Sequence, residues 1–293
     1  MKNEPRSGSV NAVWTMPLAA GSAILVLVSL LRLGPPDSAK LRPPLLVFVA
    51  AGMRAPVEEI ADRYEDEFGV PIQLHFGGSN TLLNQLQVAG GSSPDLFLAA
   101  DEFYIDRAIE LGLASETLPI AVQRPVIAVR KDSRRQIRAM ADLLRDDVRV
   151  SLAYANQAAI GRVTRKQLQG ITTADGTLWQ QLEAHVTRTG AFKPTVSDVA
   201  NDVKLGAVDA AIVWDSTVAM PDYRDELQAV DVPELAAGQS LISVAVLNTS
   251  ADPGAAVDFA RFLADPNHGR KVFEDYGVRP YVAADKVPES SSQ

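Results

Sequence analysis

The chain contains no cysteine and only three histidines, His75, His185 and His268. Without cysteine there is no disulfide, no thiolate metal site, no cysteine nucleophile and no lipid-bearing cysteine behind an export signal. The histidines have no metal-ligand spacing to one another, and none stands beside a serine in a nucleophile-elbow context. P-loop, G-x-G-x-x-G and H-E-x-x-H patterns are also missing. Paired carboxylates occur at Glu58-Glu59 and Glu65-Asp66-Glu67, but on amphipathic helical patterns they read as solvated faces. No catalytic residue and no cofactor is assigned, and the expectation is a protein that is not an enzyme.

Positive charge is scarce too. Lysine and arginine number 28 against 36 aspartates and glutamates, a net charge of −8. No basic stripe with interleaved aromatics is present to neutralise phosphates, which excludes nucleic acid as the expected partner. The cluster Arg130, Lys131, Arg134, Arg135 and Arg138 reads as a solvated loop and helix face. Aromatics make up 6% of the chain, whereas 47% of its 293 residues are apolar, enough for one large domain or two medium ones with real cores.

One long apolar run exists, "VWTMPLAAGSAILVLVSLL" (Val13–Leu31), preceded by Lys2 and Arg6. It meets the length of about 20 residues that spans a bilayer. The Pro-rich "RLGPPDSAKLRPP" follows. Residues 1–31 therefore read as a signal peptide or an N-terminal membrane anchor, and 32–44 as a linker. Arg32 and two prolines stand where a small-x-small cleavage site is wanted, which favours the uncleaved anchor. Either way the bulk of the chain is expected in the periplasm or another extracytoplasmic space, tethered to the inner membrane if the anchor stays.

From Leu45 onward strand-like and helix-like patterns alternate. "LLVFVAA", "VPIQLHF", "DLFLAA", "PVIAVR", "RVSLAY", "AAIVW" and "LISVAVLN" are short apolar runs of the buried-strand kind. Between them lie helical patterns such as "PVEEIADRYEDEFG", with proline at the start and glycine at the end. Such alternation argues for parallel-type sheets with helices on both faces, and the length argues for two lobes rather than one sheet. The segments "QRPVIAVRKD" and "AGQSLISVAVLN" bracket a central block. The expected fold class is thus α/β, a two-lobed clamshell in which each lobe is a mostly parallel sheet flanked by helices, joined by two hinge crossovers. Lobe 1 would comprise 45–124 plus 240–285, lobe 2 125–239, and 286–293 a tail. A ligand would sit at the lobe junction.

Four strand-to-helix junctions are rich in small residues: "VAAGMRAPVEE" around Gly52, "FGGSNTLLNQ" around Ser79, "NQAAIGRVTRK" around Ala159-Ile160-Gly161, and "TVSDVANDVK" around Ser197-Asp198-Val199. At the carboxyl ends of strands, each helix start offers unsatisfied N–H groups and the positive end of a dipole. Capping alone explains any one of them. Four together, two from each expected lobe, point to an anion held by neutral donors.

These residues resemble the periplasmic molybdate-binding proteins of ABC transporters, a family with the type II periplasmic-binding fold. The resemblance runs from "VFVAAGMRAPVEE" through "HFGGSNTLLNQL" to "DLFLAAD", then to "GAVDAAIVW" and "FLADPNHGRKVFEDYGVRP", covering nearly all of Leu45 to Pro280. It implies a substrate-binding protein, a monomeric receptor that takes molybdate or tungstate through uncharged hydroxyls and amides and delivers it to a membrane permease and its ATPase. Metal would be bound only as the oxyanion. By position, the family's donors fall on Gly52, Ser79, Ile160, Val199 and Trp214, with Met53, Arg54, Gly78, Asn80 and Asp215 as secondary candidates.

Two of these depart from the family pattern. Gly52 stands where a serine is usual, and Trp214, with one N–H donor and no acceptor, stands where a tyrosine is usual. Neutral hydrogen bonds contribute about 0.5–1.5 kcal/mol each, so affinity or selectivity would shift. Sulfate or phosphate as ligand, and a membrane-tethered small-molecule sensor with the same fold, remain alternatives. An enzyme would need a nucleophile with a base in reach, and none is named.

Overall fold

A computed structural model describes residues 43–88 and 94–282. The apolar run Val13–Leu31 and the tail 286–293 lie outside them, as does the linker up to residue 42. Among the described residues no helix is long and apolar enough to cross a membrane.

The buried run Leu45–Ala50 forms β1, which passes through a 3-10 turn (Ala51–Met53) into α1 (Arg54–Phe68). Helix α1 buries Val57, Ile60, Ala61 and Tyr64, one face at helical spacing. It stops at Gly69, whose φ of 65° is the left-handed conformation that glycine adopts without strain. Then come β2 (Ile72–Gly77), α2 (Ser79–Val88), β3 (Leu96–Ala99), α3 (Glu102–Glu110) and β4 (Ala114–Gln123).

The chain crosses to a second sheet through β5 (Pro125–Arg130). There it forms β6 (Val150–Ala153), α4 (Ala159–Gln169), the hairpin β7 (Thr172–Thr173) and β8 (Gly176–Thr177), and α5 (Leu178–Thr189). It continues with β9 (Ala191–Lys193), α6 (Val196–Lys204), β10 (Ala210–Trp214), α7 (Asp215–Ala219) and β11 (Leu227–Val230). It returns through β12 (Ser240–Leu247), α8 (Pro253–Ala264), α9 (Gly269–Asp275) and β13 (Arg279–Pro280).

Two sheets result, in the orders β13-β4-β12-β3-β1-β2 and β11-β5-β10-β6-β9. The fold is a two-lobed α/β clamshell. Pairing is more mixed than the mostly parallel sheets expected. β1 runs parallel to β2 and β3, and β6 parallel to β9 and β10. These strands are joined by helical crossovers, which impose parallel pairing. β12 runs antiparallel to β3 and β4, and β5 antiparallel to β10 and β11. Both β5 and β12 enter their sheets from the other lobe without an α-helix to turn them round; only a short 3-10 turn (Pro233–Leu235) precedes β12.

Strand β4 has no counterpart in the sequence reading. Its segment "ASETLPIAVQ" lacks clean alternation and carries Pro119, which argues against a strand interior. A register shift resolves the conflict: Pro119 stands opposite Ser243 and Ala121 opposite Ile242, so Ile120 is an extra residue bulged from the ladder. The basic cluster is partly neutralised at the surface of the second lobe, where Arg130 pairs with Asp132 and Arg135 with both Asp147 and Asp209.

Candidate functional site

All four small-residue junctions follow a parallel strand, directly or after one short loop: α6 starts just past β9, which runs parallel to β6. Their first residues meet at the lobe junction. Ala51 and Gly52 come from the end of β1, Gly78 and Ser79 from the end of β2, Ala158 to Ile160 from the start of α4, and Thr195 and Val196 from the start of α6. With Trp214 from the end of β10 they line one hollow of about 20 Å³. None of the lining residues carries a charge.

The donors are set by helix geometry, since the first turn of a helix leaves its N–H groups without internal partners. At α2, the Asn80 and Thr81 amides donate to Gln157 O of the other lobe (3.0 and 3.4 Å), which leaves the Ser79 amide for the hollow. The Ser79 hydroxyl accepts from the Ala100 amide (3.3 Å), so its own proton is free to donate. At α4, the N-cap is Ala158, whose side chain supplies no capping acceptor; the Ala159 and Ile160 amides therefore start the helix uncapped, beside the hollow.

At α6 the structure departs from the sequence reading. Thr195 is the N-cap: its hydroxyl oxygen accepts from the Asp198 amide (3.2 Å) and its proton goes to Asp198 Oδ2 (2.6 Å). The Val199 amide donates to Thr195 O (3.4 Å), and Val199 is buried away from the hollow. As fourth residue of the helix it makes the first intrahelical bond, so the free amides belong to Val196 and Ser197. The signal was legible: Thr195-x-x-Asp198 is a capping pattern that makes Thr195 the N-cap and starts the helix at Val196, one residue before Ser197.

Of the other candidates, Gly52, Ser79, Ile160, Trp214 and Gly78 line the hollow; Met53, Arg54, Asn80 and Asp215 do not. Met53 is buried in the core. Arg54 lies 3.8 Å over the Phe76 ring and pairs with Glu58, more than half exposed. Asp215 accepts from the Arg124 and Ser216 amides and pairs with Arg279 (3.0 Å) and Arg124 (3.5 Å), which makes it a hinge clamp. Beside it Gln123, fully buried, donates to Ala100 O and accepts from the Ser216 hydroxyl.

The lobes are closed on each other. The Asn80 side chain donates to Asn156 O (2.6 Å) and the Ser197 hydroxyl to Ala51 O (3.3 Å), both across the junction. Tyr223, in the groove flanking Gly52, has its hydroxyl pushed up to about 12 by burial and stays a neutral donor toward Asn201 Oδ1.

Residues 45–279 match the family described as bacterial extracellular solute-binding protein. The chain belongs to that family. A binding protein of Haemophilus influenzae, with no ligand in its name, is 27% identical over 236 residues, 80% of this chain and 91% of its own. The Escherichia coli molybdate-binding protein ModA is 33% identical over a shorter stretch of 66 residues, 22% of this chain and 25% of its own. The structure of the Azotobacter vinelandii periplasmic molybdate-binding protein superposes with a TM-score of 0.65 at 14% identity, covering 82% of this solute-binding chain and all of that one. A sulfate-binding protein from Mycobacterium tuberculosis (TM-score 0.66, 18% identity) and a periplasmic thiamin-binding protein (0.68, 17%) share the fold as well. The likeness at these identities establishes the fold and leaves the ligand to the site.

Proposed function

We propose that this solute-binding protein is the extracytoplasmic receptor of an ABC importer for a tetrahedral oxyanion, molybdate or tungstate, held between its lobes. The observation that carries this is the uncharged hollow ringed by four helix starts. Oriented amides and the Ser79 hydroxyl favour an anion through partial positive charge, with no charged side chain among the lining residues. Size is consistent with it: at about 20 Å³, against roughly 10–15 Å³ for one water, the closed hollow is too small for an organic ligand such as thiamin. Among the described residues no group of three or more His, Asp or Glu is placed to hold a bare metal ion. The loaded receptor would dock as a monomer on a membrane permease coupled to its ATPase, with the apolar Val13–Leu31 run as export signal or tether.

The test is a titration of the purified protein with molybdate, tungstate, sulfate and phosphate, read by Trp214 fluorescence against the background of Trp14 and Trp179. Molybdate and tungstate are expected to bind most tightly, and Ser79→Ala to weaken them about tenfold or less, as befits one neutral hydrogen bond. Tighter sulfate binding would reassign the ligand. No response to any of the four at millimolar concentration would sink the reading.

A further inference from the structure

Outside the hollow and away from the crossovers, one arginine makes a largely buried contact between the lobes. Arg162 sits in the first turn of α4, two residues after Ile160, and reaches across to lobe 1. Its guanidinium donates to Asp101 Oδ2 at 2.5 Å, with side-chain exposures of 23% for Arg162 and 5% for Asp101. The same guanidinium lies 4.1 Å from the centroid of the Phe103 ring and 5.7 Å from that of Tyr104. Asp101 is held in place on its own lobe: Oδ1 accepts from the Phe103 amide and Oδ2 from the Ser240 hydroxyl. Tyr104 is kept neutral beside the pair, its hydroxyl raised above the ordinary tyrosine range by burial.

We propose that Arg162 is a closing latch: it touches no ligand, and it sets how long the lobes stay shut. The proposal rests on the oxyanion-receptor reading only for the kinetic part of its test. On lobe 1, the Asp101 carboxylate and the two aromatic faces are fixed by their own lobe, a receptor formed in advance for a planar cation. On lobe 2, Arg162 follows the amides that face the hollow, so an anion that draws the start of α4 toward lobe 1 brings the guanidinium into its seat. Opening breaks the ion pair and both ring contacts together. Dissociation requires opening; association starts from open lobes. The latch therefore acts on the off-rate. Arg165 and Lys166, on the same face of α4, border the adjoining groove with Arg162 but make no ion pair among the described residues, so neither latches.

The experiment is stopped-flow release of molybdate from the full chain, with cysteine trapping of the closed state in the ligand-free protein. Arg162→Gln is expected to raise the off-rate about tenfold while the on-rate stays within about twofold. Arg162→Lys, which keeps the charge but not the fork or the flat stack, should fall between, and Arg165→Gln should release like wild type. Asp101→Asn keeps a capping oxygen for α3 and serves in place of Arg162→Gln should that variant fail to fold. An unchanged off-rate in these latch variants overturns the proposal. If wild type binds none of the oxyanions, the receptor reading fails but the latch is still judged. Cysteines placed at Asn80 and Asn156, which meet across the junction, should then cross-link about tenfold more slowly in the ligand-free Arg162→Gln background than in the Arg162 one. Trapping samples the closed state however rare it is, and equal trapping rates overturn the latch.

Discussion

Gly52 shows how a missing side chain is written into the packing around it. A Cβ there would stand 2.7 Å from Val196 Cγ1 of the opposite lobe. Valine at a helix start is β-branched and stiff at χ1, so it cannot swing aside. The serine that the molybdate-binding family places here would keep the lobes of this chain apart. Gly52→Ser alone is thus expected to weaken molybdate binding about tenfold, an overpacking cost of about 1–3 kcal/mol. Gly52→Ser combined with Val196→Ala should return it to within about threefold. Calorimetric titration of the two variants checks this; a single variant as tight as wild type would show that the lobes do not approach so closely. That Gly52 stands at the junction of a strand and a helix was legible from the small residues around it. Its partner Val196 was not, because the contact joins segments far apart in the chain.

At the scale of elements, the site is made of helix starts, and these were largely legible because strand ends followed by Gly, Ala, Ser or Thr leave amides exposed. What sequence fixed less well was the first residue of each helix. Val199 was assigned by position from the family resemblance, and its amide is spent inside the helix because the Thr195 cap starts α6 at Val196. Strand β4 was hidden for a different reason: its bulge at Ile120 is allowed only by the pairing with β12. The start of α2 carries the clearest prediction. A Cβ on Gly78 would meet Gln157 O at 2.4 Å and Pro194 O at 3.0 Å, both backbone atoms of lobe 2. Gly78→Ala should therefore block closure and cut molybdate affinity about a hundredfold or more. The open protein loses nothing by the added methyl, so its ligand-free melting temperature should stay within about 2 °C, the effect of less than one kcal/mol in a chain of this size. A fall in melting temperature to match the lost affinity would place the damage in folding rather than closure.

For the whole molecule, the decisive fact is that the chain passes twice between two sheets and is clamped where it crosses. Asp215 gathers the Arg124 amide and the Arg124 and Arg279 guanidinium groups at the first crossover, while Gln123 ties Ala100 to Ser216. The two-lobed plan was legible from the bracketed central block, whereas the clamps were not, since their contacts between lobes join residues 91, 93 and 64 apart in sequence. A ligand gripped by both lobes stabilises them as one body, and linkage gives the size of the effect. Ligand at a hundred times its dissociation constant adds about 2.7 kcal/mol, and each kcal/mol moves the melting temperature by about 2–4 °C for a protein of this size. Molybdate or tungstate at that ratio should thus raise the melting temperature by about 5–11 °C in a single sharpened transition. Gly78→Ala at the same concentration should show almost no shift, because its lobes cannot close on the anion. A split transition, with only one half of the melt moving, would mean that the anion is held by one lobe alone and that the closed hollow is not the binding state.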